Sequence, residues 1–219
     1  MKRKKVSTPA QWILGLVLAI FLLSSAIILV VNLRPLYYSL IEPLKLTESS
    51  GLSPEQIRAN YDALIDYNSI FYSGALHFPD LAMSEEGRIH FVEVKEIFVF
   101  LQIAAMVSGV LLLFFGASKL RKKEPQFLKT GALLSLLIPA IVSALIAVNW
   151  DNAFVLMHKL LFDNDYWIFD AAKDPVIHIL PDTFFLYSAL AIVGLVLLGA
   201  VFSYFLYRLI LRKDRSFDN

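Results

Sequence analysis

IFVFLQIAAMVSGVLLLFFGA, residues 97–117, contains no acidic side chain, no basic side chain and no histidine. About 20 such residues in a helix cross the hydrocarbon core of a bilayer, where a lone helix satisfies its own backbone hydrogen bonds and a lone strand does not. Residues 11–33, 132–150 and 184–206 share this character. The sequence therefore predicts an all-α integral membrane protein with four transmembrane helices.

The composition agrees with this prediction and restricts the chemistry. Of the 219 residues, 58% are hydrophobic and 18% are charged, which is too apolar for an ordinary soluble domain. The net charge of +1 gives no indication of a nucleic-acid partner. The chain has no cysteine, which excludes disulfides, thiolate metal sites and thioester intermediates.

The distribution of charge predicts how the chain is oriented. Basic residues cluster in segments 2–5, 119–129 and 208–215, which lie on one side of a four-span chain, and the positive-inside rule makes that side cytoplasmic. Segments 34–96 and 151–183 then form a small extracytoplasmic cap, with 7 of the 20 basic and 16 of the 19 acidic residues. The first apolar run is too long for a typical cleaved signal peptide, so we expect an uncleaved signal anchor.

Local signals predict that the cap is mainly helical. Ser53 and Gln56 form a capping-box pattern around a proline at the first helical position, which predicts a helix over Pro54–Asn68. Ser84 begins a second pattern, which we expect to run as one helix through Lys95 into the second span.

Two further signals in the cap are weaker. Pro35–Tyr38 reads as an extended segment, so a short β-strand pairing is an alternative for part of the cap. Asp151 is expected to cap a helix that continues through His158.

The histidines are the candidates for chemistry, because histidine exchanges protons near neutral pH. His77, His90, His158 and His178 all lie in the predicted cap or at its boundary with the spans. His90 comes shortly before the second span and His158 shortly after the third, so the two can share a pocket near the lipid headgroups. Spacing alone leaves catalytic and structural roles for this pair equally open, and it favours a structural role for the other two.

Other classes of function fit less well. The chain lacks an H-E-x-x-H motif, a G-x-S-x-G motif and a glycine-rich phosphate loop. A metal site built from histidines and acids is left as a disfavoured alternative. The spans carry no ionisable residue, which disfavours an ion-coupled transporter.

Two stretches resemble a known family. Ser84–Lys95, SEEGRIHFVEVK, is similar to one signature, and His158–Trp167, HKLLFDNDYW, is similar to a second, which continues through Asp170, Asp174-Pro175 and Phe184-Phe185. With four spans and this length, the whole chain resembles the bacterial lipoprotein intramolecular transacylases. Glu93 departs from the family pattern, in which an aspartate precedes Val-Lys.

The resemblance implies a reaction and its participants. The family acts on lipoproteins whose N-terminal cysteine carries a diacylglyceryl thioether, and moves the acyl chain from the sn-2 oxygen to the cysteine's α-amino group, which gives a lyso-form lipoprotein. The implied catalytic residues are His90 and His158, on the extracytoplasmic side of the bacterial cell membrane. The implied partners are a diacylated lipoprotein and membrane lipids, and no cofactor is implied.

The chemistry is consistent with the residues present. The substrate's own amine is the nucleophile, so neither a serine nor a cysteine nucleophile is needed. We expect His158 to act as acid–base and His90 to stabilise the oxyanion. Aromatic side chains are expected to form the walls of the pocket: Phe162, Tyr166, Trp167 and Phe169. Polar side chains are expected to support the histidines: Glu86, Glu93, Lys95, Asn164 and Asp165.

Three alternatives to this function stay open on sequence alone. The first is another lipid acyltransferase of the outer leaflet, which takes its acyl chain from a phospholipid. The second is a membrane scaffold without enzymatic activity. The third is a metal-dependent hydrolase.

Overall fold

The structure, a computed structural model, describes residues 8–216, with side chains as far as residue 212. Segment 2–5, which contributed to the predicted orientation, lies outside the described residues. Residues 8–216 contain helices and no β-strand, so the all-α class is confirmed and the alternative of short strands is wrong for this part of the chain. The α-helices are α1 Pro9–Asn32, α2 Arg34–Tyr38, α3 Leu46–Ser50, α4 Pro54–Tyr67, α5 Glu85–Leu111, α6 Ala117–Arg121, α7 Gln126–Ser135, α8 Leu137–Val148, α9 Trp150–Leu161 and α10 Asp182–Ser216.

Four helical segments are long and apolar enough to cross a membrane, as predicted: Pro9–Asn32, Glu85–Arg121, Gln126–Val148 and Asp182–Arg212. The second extends well before the predicted residues 97–117, because polar residues continue the same helix. It includes a π-helical turn, Leu112–Gly116. The third begins and ends earlier than predicted, and it is interrupted between α7 and α8.

The interruption has a local cause in Pro139. A proline inside a helix removes a backbone donor, and its ring clashes with the carbonyl four residues earlier. That carbonyl belongs to Ser135, where α7 ends, and α8 starts at Leu137.

The described chain groups into two compact units. The first unit comprises residues 8–27, 101–144 and 191–216, and the second comprises residues 28–100 and 145–190. Both predicted catalytic histidines belong to the second unit.

The first unit packs through close approach of α1 and α7. A Cβ placed on Gly15 would lie 2.6 Å from Thr130 Cγ2, and one on Gly131 would lie 2.8 Å from Leu18 Cβ. Small residues at such positions let transmembrane helices pack backbone against backbone. Gln11 is buried at the same interface: its amide donates to Glu124 O at 3.2 Å and accepts from Phe127 N at 2.8 Å.

The second unit packs around aromatic side chains. Tyr37 and Tyr61 stack with ring centroids 3.7 Å apart, and Phe184 meets both rings edge-on. The buried Tyr37 hydroxyl donates to Ile179 O at 2.7 Å. Aromatic pairs with satisfied hydroxyls combine a large buried area with a fixed geometry.

Helix α4 forms as predicted. The Ser53 hydroxyl accepts from Gln56 N at 3.3 Å, and the Gln56 side chain accepts from Ser53 N at 3.0 Å. One face of the helix is apolar and buried, and it carries Ile57, Tyr61, Leu64 and Ile65.

Two local predictions in this unit are wrong. Pro35–Tyr38 is not extended but lies in α2, where the proline occupies the first turn that suits its fixed φ. Asn149, not Asp151, caps α9: its side chain accepts from Asn152 N at 2.8 Å. The helix begins earlier than expected, which leaves Asp151 in the first turn, where its charge still favours the helix dipole.

Candidate functional site

The structure brings His90 and His158 together. His90 lies in the second turn of α5, and His158 lies in the last turns of α9. Their ring centroids are 6.1 Å apart, and the two residues are 6% and 9% exposed. The two rings are therefore close neighbours, and both are shielded from solvent.

A backbone contact sets the tautomer of His158. Its Nδ1 lies 2.8 Å from the carbonyl oxygen of Phe154, one turn earlier on α9. A carbonyl only accepts hydrogen bonds, so Nδ1 carries the proton and Nε2 of the neutral ring is left as a base. Burial lowers the pKa of His158 below its usual value, although the bond to the Phe154 carbonyl opposes this shift. The lowered pKa favours the neutral form of the ring.

The Nδ1 atom of His90, unlike that of His158, has no hydrogen-bond partner. Nδ1 is buried and makes no hydrogen bond. An unsatisfied buried polar atom costs about 1–3 kcal/mol. A substrate atom that bonds to Nδ1 would remove this cost, so the atom is a candidate contact point for a ligand.

Aromatic rings surround the pair. Trp167 stacks on His158 at 4.6 Å between centroids, and Phe162 contacts His90 at 4.7 Å and His158 at 5.8 Å. Phe169 meets the His90 ring edge-on at 5.5 Å. The result is an apolar enclosure around both imidazoles.

Of the predicted wall residues, Tyr166 is the exception. It is 39% exposed, and its backbone N–H, rather than its ring, joins the site by donating to Asn164 Oδ1 at 3.0 Å. Phe154 contacts the pair as well: its ring centroid lies 4.3 Å from that of His158. Phe154 was not predicted as a site residue, although its position four residues before His158 places it on the same helical face.

Glu93 and Asn164 form the polar edge of the site. Asn164 Nδ2 donates to Glu93 Oε1 at 2.7 Å, and the Asn164 carbonyl accepts from Trp167 Nε1 at 3.1 Å. Glu93 Oε2 is buried without a hydrogen-bond partner. Asn164 thus connects the Glu93 carboxylate, one helical turn from His90, to the Trp167 ring that stacks on His158.

The other predicted supporting residues are placed differently. Glu86 and Asp165 are exposed, and neither Glu86 nor Glu93 bonds to His90 Nδ1. Lys95 Nζ donates to Tyr72 O at 3.0 Å and lies 4.3 Å from the centroid of the Tyr67 ring. Lys95 is therefore engaged in holding the loop around Tyr72.

Asp174 supports the site in a way that the sequence analysis did not identify. Its buried carboxylate accepts from Ser84 N and from the Ser84 hydroxyl, both at 2.7 Å. Ser84 in turn caps α5 by accepting from Gly87 N at 2.9 Å. A Cβ on Gly87 would collide with Asp174 Oδ1, so a larger residue here would push that carboxylate aside, one turn before His90.

The two remaining histidines are not part of the aromatic enclosure. His77 is exposed in the loop before α5, and His178 ends a short 3₁₀ turn, Pro175–His178. Within the described part of the chain, no three His, Asp or Glu side chains converge to hold a metal ion.

Comparison with known proteins identifies the family. The family model for the lipoprotein intramolecular transacylase Lit matches residues 12–185. The chain belongs to this family. It is accordingly an enzyme of the transacylase class and a multi-pass membrane protein. No curated protein matched the chain.

Solved structures of the membrane-integral Lit from Bacillus cereus are similar over nearly the whole chain. One is 40% identical, covers 94% of this chain and 96% of that chain, and has a TM-score of 0.91. A variant with one histidine replaced by alanine is 40% identical, covers 94% of each chain and has a TM-score of 0.85. A variant with one histidine replaced by arginine is 39% identical, covers 94% of each chain and has a TM-score of 0.79.

Proposed function

We propose that this chain moves the sn-2 acyl chain of a diacylglyceryl-cysteine lipoprotein to the α-amino group of the same cysteine, which gives the lyso-form. The observation that carries the proposal is the buried pair of His90 and His158, 6.1 Å apart within an aromatic enclosure, in a member of a transacylase family. The substrate class follows from the family description.

His158 acts as the acid–base in this proposal. A free α-ammonium has a pKa of about 7.7–8.0, and it first loses one proton to water. As the neutral amine attacks the ester carbonyl, His158 Nε2 accepts a second proton from the nitrogen, and then passes it to the departing glyceryl oxygen. The N–C bond forms, the C–O bond to the sn-2 oxygen breaks, and the histidine returns to its neutral form.

His90 stabilises the intermediate. Its buried and unpaired Nδ1 carries the proton in the required tautomer and donates to the oxygen of the tetrahedral intermediate. Donors that are already in place in a site of low dielectric stabilise an oxyanion more than water does.

The enclosure supplies proximity. The attack closes a medium-sized ring through the amine, Cα, Cβ, sulfur, two glyceryl carbons, the ester oxygen and the acyl carbon, and such rings close slowly without help. Holding the amine against the ester recovers much of this cost. Phe162, Trp167 and Phe169 also keep out water that would hydrolyse the ester.

The orientation is part of the proposal. We place both chain ends in the cytoplasm and residues 34–96 and 151–183 outside, because the basic segments then face the cytoplasm. His90 lies before the apolar run of residues 97–117 on the outer side. A lipoprotein anchored in the outer leaflet would reach the site from the lipid, alongside the surrounding membrane lipids.

The test uses the purified full chain and a synthetic diacylated lipopeptide with no added lipid. Because the product is an isomer of the substrate, tandem mass spectrometry must locate the acyl chain on nitrogen or on oxygen. We expect His158→Ala and His90→Ala each to lower the rate by about 10²–10⁴-fold while the protein still folds. His77→Ala, a histidine in an exposed loop, is the matched control and should retain activity. Full activity in either site variant would remove that residue from the mechanism.

A crossover experiment separates the alternatives. A mixture of two lipopeptides, one with a deuterated sn-2 chain and a different peptide, should give no exchanged product if transfer is intramolecular. Exchanged product, or transfer that requires phospholipid, would indicate an intermolecular acyltransferase. Release of free fatty acid that a chelator blocks would indicate a metal-dependent hydrolase, and an unchanged lipopeptide would indicate a scaffold.

A further inference from the structure

Glu93 presents a carboxylate oxygen that the fold does not use. The side chain is held through Oε1, to which Asn164 Nδ2 donates at 2.7 Å, while Oε2 is buried and makes no hydrogen bond. Glu93 follows His90 by one helical turn on α5, a spacing that places two side chains on the same face of a helix. A buried carboxylate oxygen without a donor is costly, so a ligand with a positive charge or an N–H donor would stabilise this position.

The carboxylate is also tied to the other side of the site. Asn164, which holds it, accepts from the Trp167 indole through its backbone carbonyl at 3.1 Å, and Trp167 stacks on His158 at 4.6 Å. Glu93 is thereby connected through Asn164 and Trp167 to the His158 ring. Its place on α5, one turn after His90, connects it to the other imidazole as well.

We infer that Glu93 Oε2 binds the α-amino group of the lipoprotein substrate, and that Asn164 is the positioning residue that holds the carboxylate in place. The inference rests on the proposed function, because it assigns a subsite to the nucleophile of that reaction. Of the polar groups at the reacting end of the substrate, the α-amino group alone carries a positive charge. An ammonium matches a carboxylate at the edge of an apolar enclosure, and a neutral amine still donates one N–H to the same oxygen after a proton is lost.

This subsite also has a chemical role. An amine that donates to Glu93 has one N–H fixed in direction, which leaves the lone pair to face the ester carbonyl. Bringing the amine to a defined place before attack is what the closure of a medium-sized ring requires. A substrate whose N-terminus is blocked or absent would lose this contact and bind less tightly.

The test measures binding of two probes that cannot react. The first is a diacyl lipopeptide in which an ether replaces the sn-2 ester, and the second is the same molecule without the α-amino group. Dissociation constants are measured at pH 7 for the full chain in detergent micelles. We expect the wild-type chain to bind the amine probe about 10- to 100-fold more tightly than the probe without the amine.

Glu93→Gln removes the charge while it keeps the shape and the acceptor for Asn164. We expect the preference for the amine probe to fall to about threefold or less in this variant, and the affinity for the second probe to stay near the wild-type value. Glu96→Gln is the matched control, because Glu96 is exposed on the same helix, and it should keep the full preference. Glu93→Asp keeps the charge and should retain most of the preference.

The outcomes distinguish this inference from the proposed function. Equal affinity of the wild-type chain for the two probes would overturn the Glu93 subsite, even if the lyso-form is produced and even if Glu93→Gln fails to fold. If Glu93→Gln weakens both probes equally, Glu93 is structural and the inference is wrong. If the amine preference is present and depends on Glu93, but the ester substrate is never converted, the subsite stands and the proposed function fails.

Discussion

The two compact units of this chain are stabilised by different means. In the first unit, helices approach so closely that Gly131 has no room for a Cβ, and the buried amide of Gln11 is satisfied at both ends. In the second unit, aromatic rings fill the interior, yet His90 Nδ1 and Glu93 Oε2 stay buried without partners. Unsatisfied polar atoms are destabilising, so they are expected where a substrate completes the site. The first unit is therefore built for stability, and the second accepts a loss of stability where the chemistry is proposed.

The largest effect on stability is expected at Gly131. An added Cβ would lie 2.8 Å from Leu18 Cβ, and because that atom belongs to the base of a side chain it cannot move away without its helix. We expect Gly131→Ala to destabilise the protein by about 2–3 kcal/mol. The measurement is the midpoint of thermal unfolding in detergent micelles.

Gly194→Ala is the matched control in the same unit. A Cβ at Gly194 meets nothing within 4 Å, and alanine is the better helix former. The midpoint of thermal unfolding of Gly194→Ala should stay the same or rise slightly. If both alanine variants lower it equally, close packing is not what stabilises the first unit.

Gly87→Ala makes the corresponding test in the second unit. The new Cβ would collide with Asp174 Oδ1, and that carboxylate is held by two hydrogen bonds from Ser84. Since a carboxylate end moves more easily than a helix, we expect a smaller loss of about 1–2 kcal/mol. Transfer activity should fall as well, because the change displaces α5 one turn before His90.

Glu86→Ala, at an exposed neighbouring position of the same helix, should leave the unfolding midpoint almost unchanged. If Gly87→Ala lowers the midpoint without any loss of transfer rate, the start of α5 does not position His90. The transfer reaction would then tolerate movement at the start of α5. Asp174 and Ser84 would stabilise the protein without positioning His90.

The same comparison shows what sequence patterns can predict. The four spans were predicted because hydropathy is a property of single residues and lipid responds to it directly. Predicting that His90 and His158 lie near each other needed only their positions beside two spans. The Phe154 carbonyl that sets the tautomer of His158 was missed, because every residue has a carbonyl and no pattern marks one.

Long-range polar contacts were missed for a related reason. Asp174 bonds to Ser84 across 90 residues of sequence, and nothing local indicates that pairing. Glu86 and Glu93 were both predicted to support the histidines, but Glu86 is exposed, whereas Glu93 accepts a hydrogen bond from Asn164. Sequence patterns thus predicted the helices and the types of residue at the site. Hydrogen-bond partners that are distant in sequence were visible only in the folded structure.

The pH dependence of stability tests the second unit through the protonation of His158. Burial lowers the pKa of His158 in the folded chain, so the unfolded chain binds this proton more readily. The stability that neutral His158 contributes is present above the usual histidine pKa of about 6.5 and is lost as the pH falls through it. We expect the wild-type unfolding midpoint to fall more steeply between pH 7 and pH 5 than that of His158→Gln.

Magnetic resonance of labelled histidine rings gives the direct measurement. The ring signal that disappears in His158→Gln should titrate with a midpoint below 6.5. A midpoint above 7 would mean that the ring is mainly charged at pH 7, and His158 could not then act as the base that the proposed mechanism requires.

The smallest effect is expected at the cap of α4. Ser53→Ala removes the acceptor for Gln56 N, at an exposed end where water replaces it, so we expect a loss of about 0.5–1 kcal/mol. Ser53→Asp restores an acceptor and should recover most of the midpoint. Transfer rate should not change in either variant, because α4 contributes none of the contacts around His90 and His158 described above. If Ser53→Ala lowers the rate as much as Gly87→Ala does, the activity follows the overall stability of the second unit rather than the placement of α5, and the distinction between packing and site within that unit would be lost.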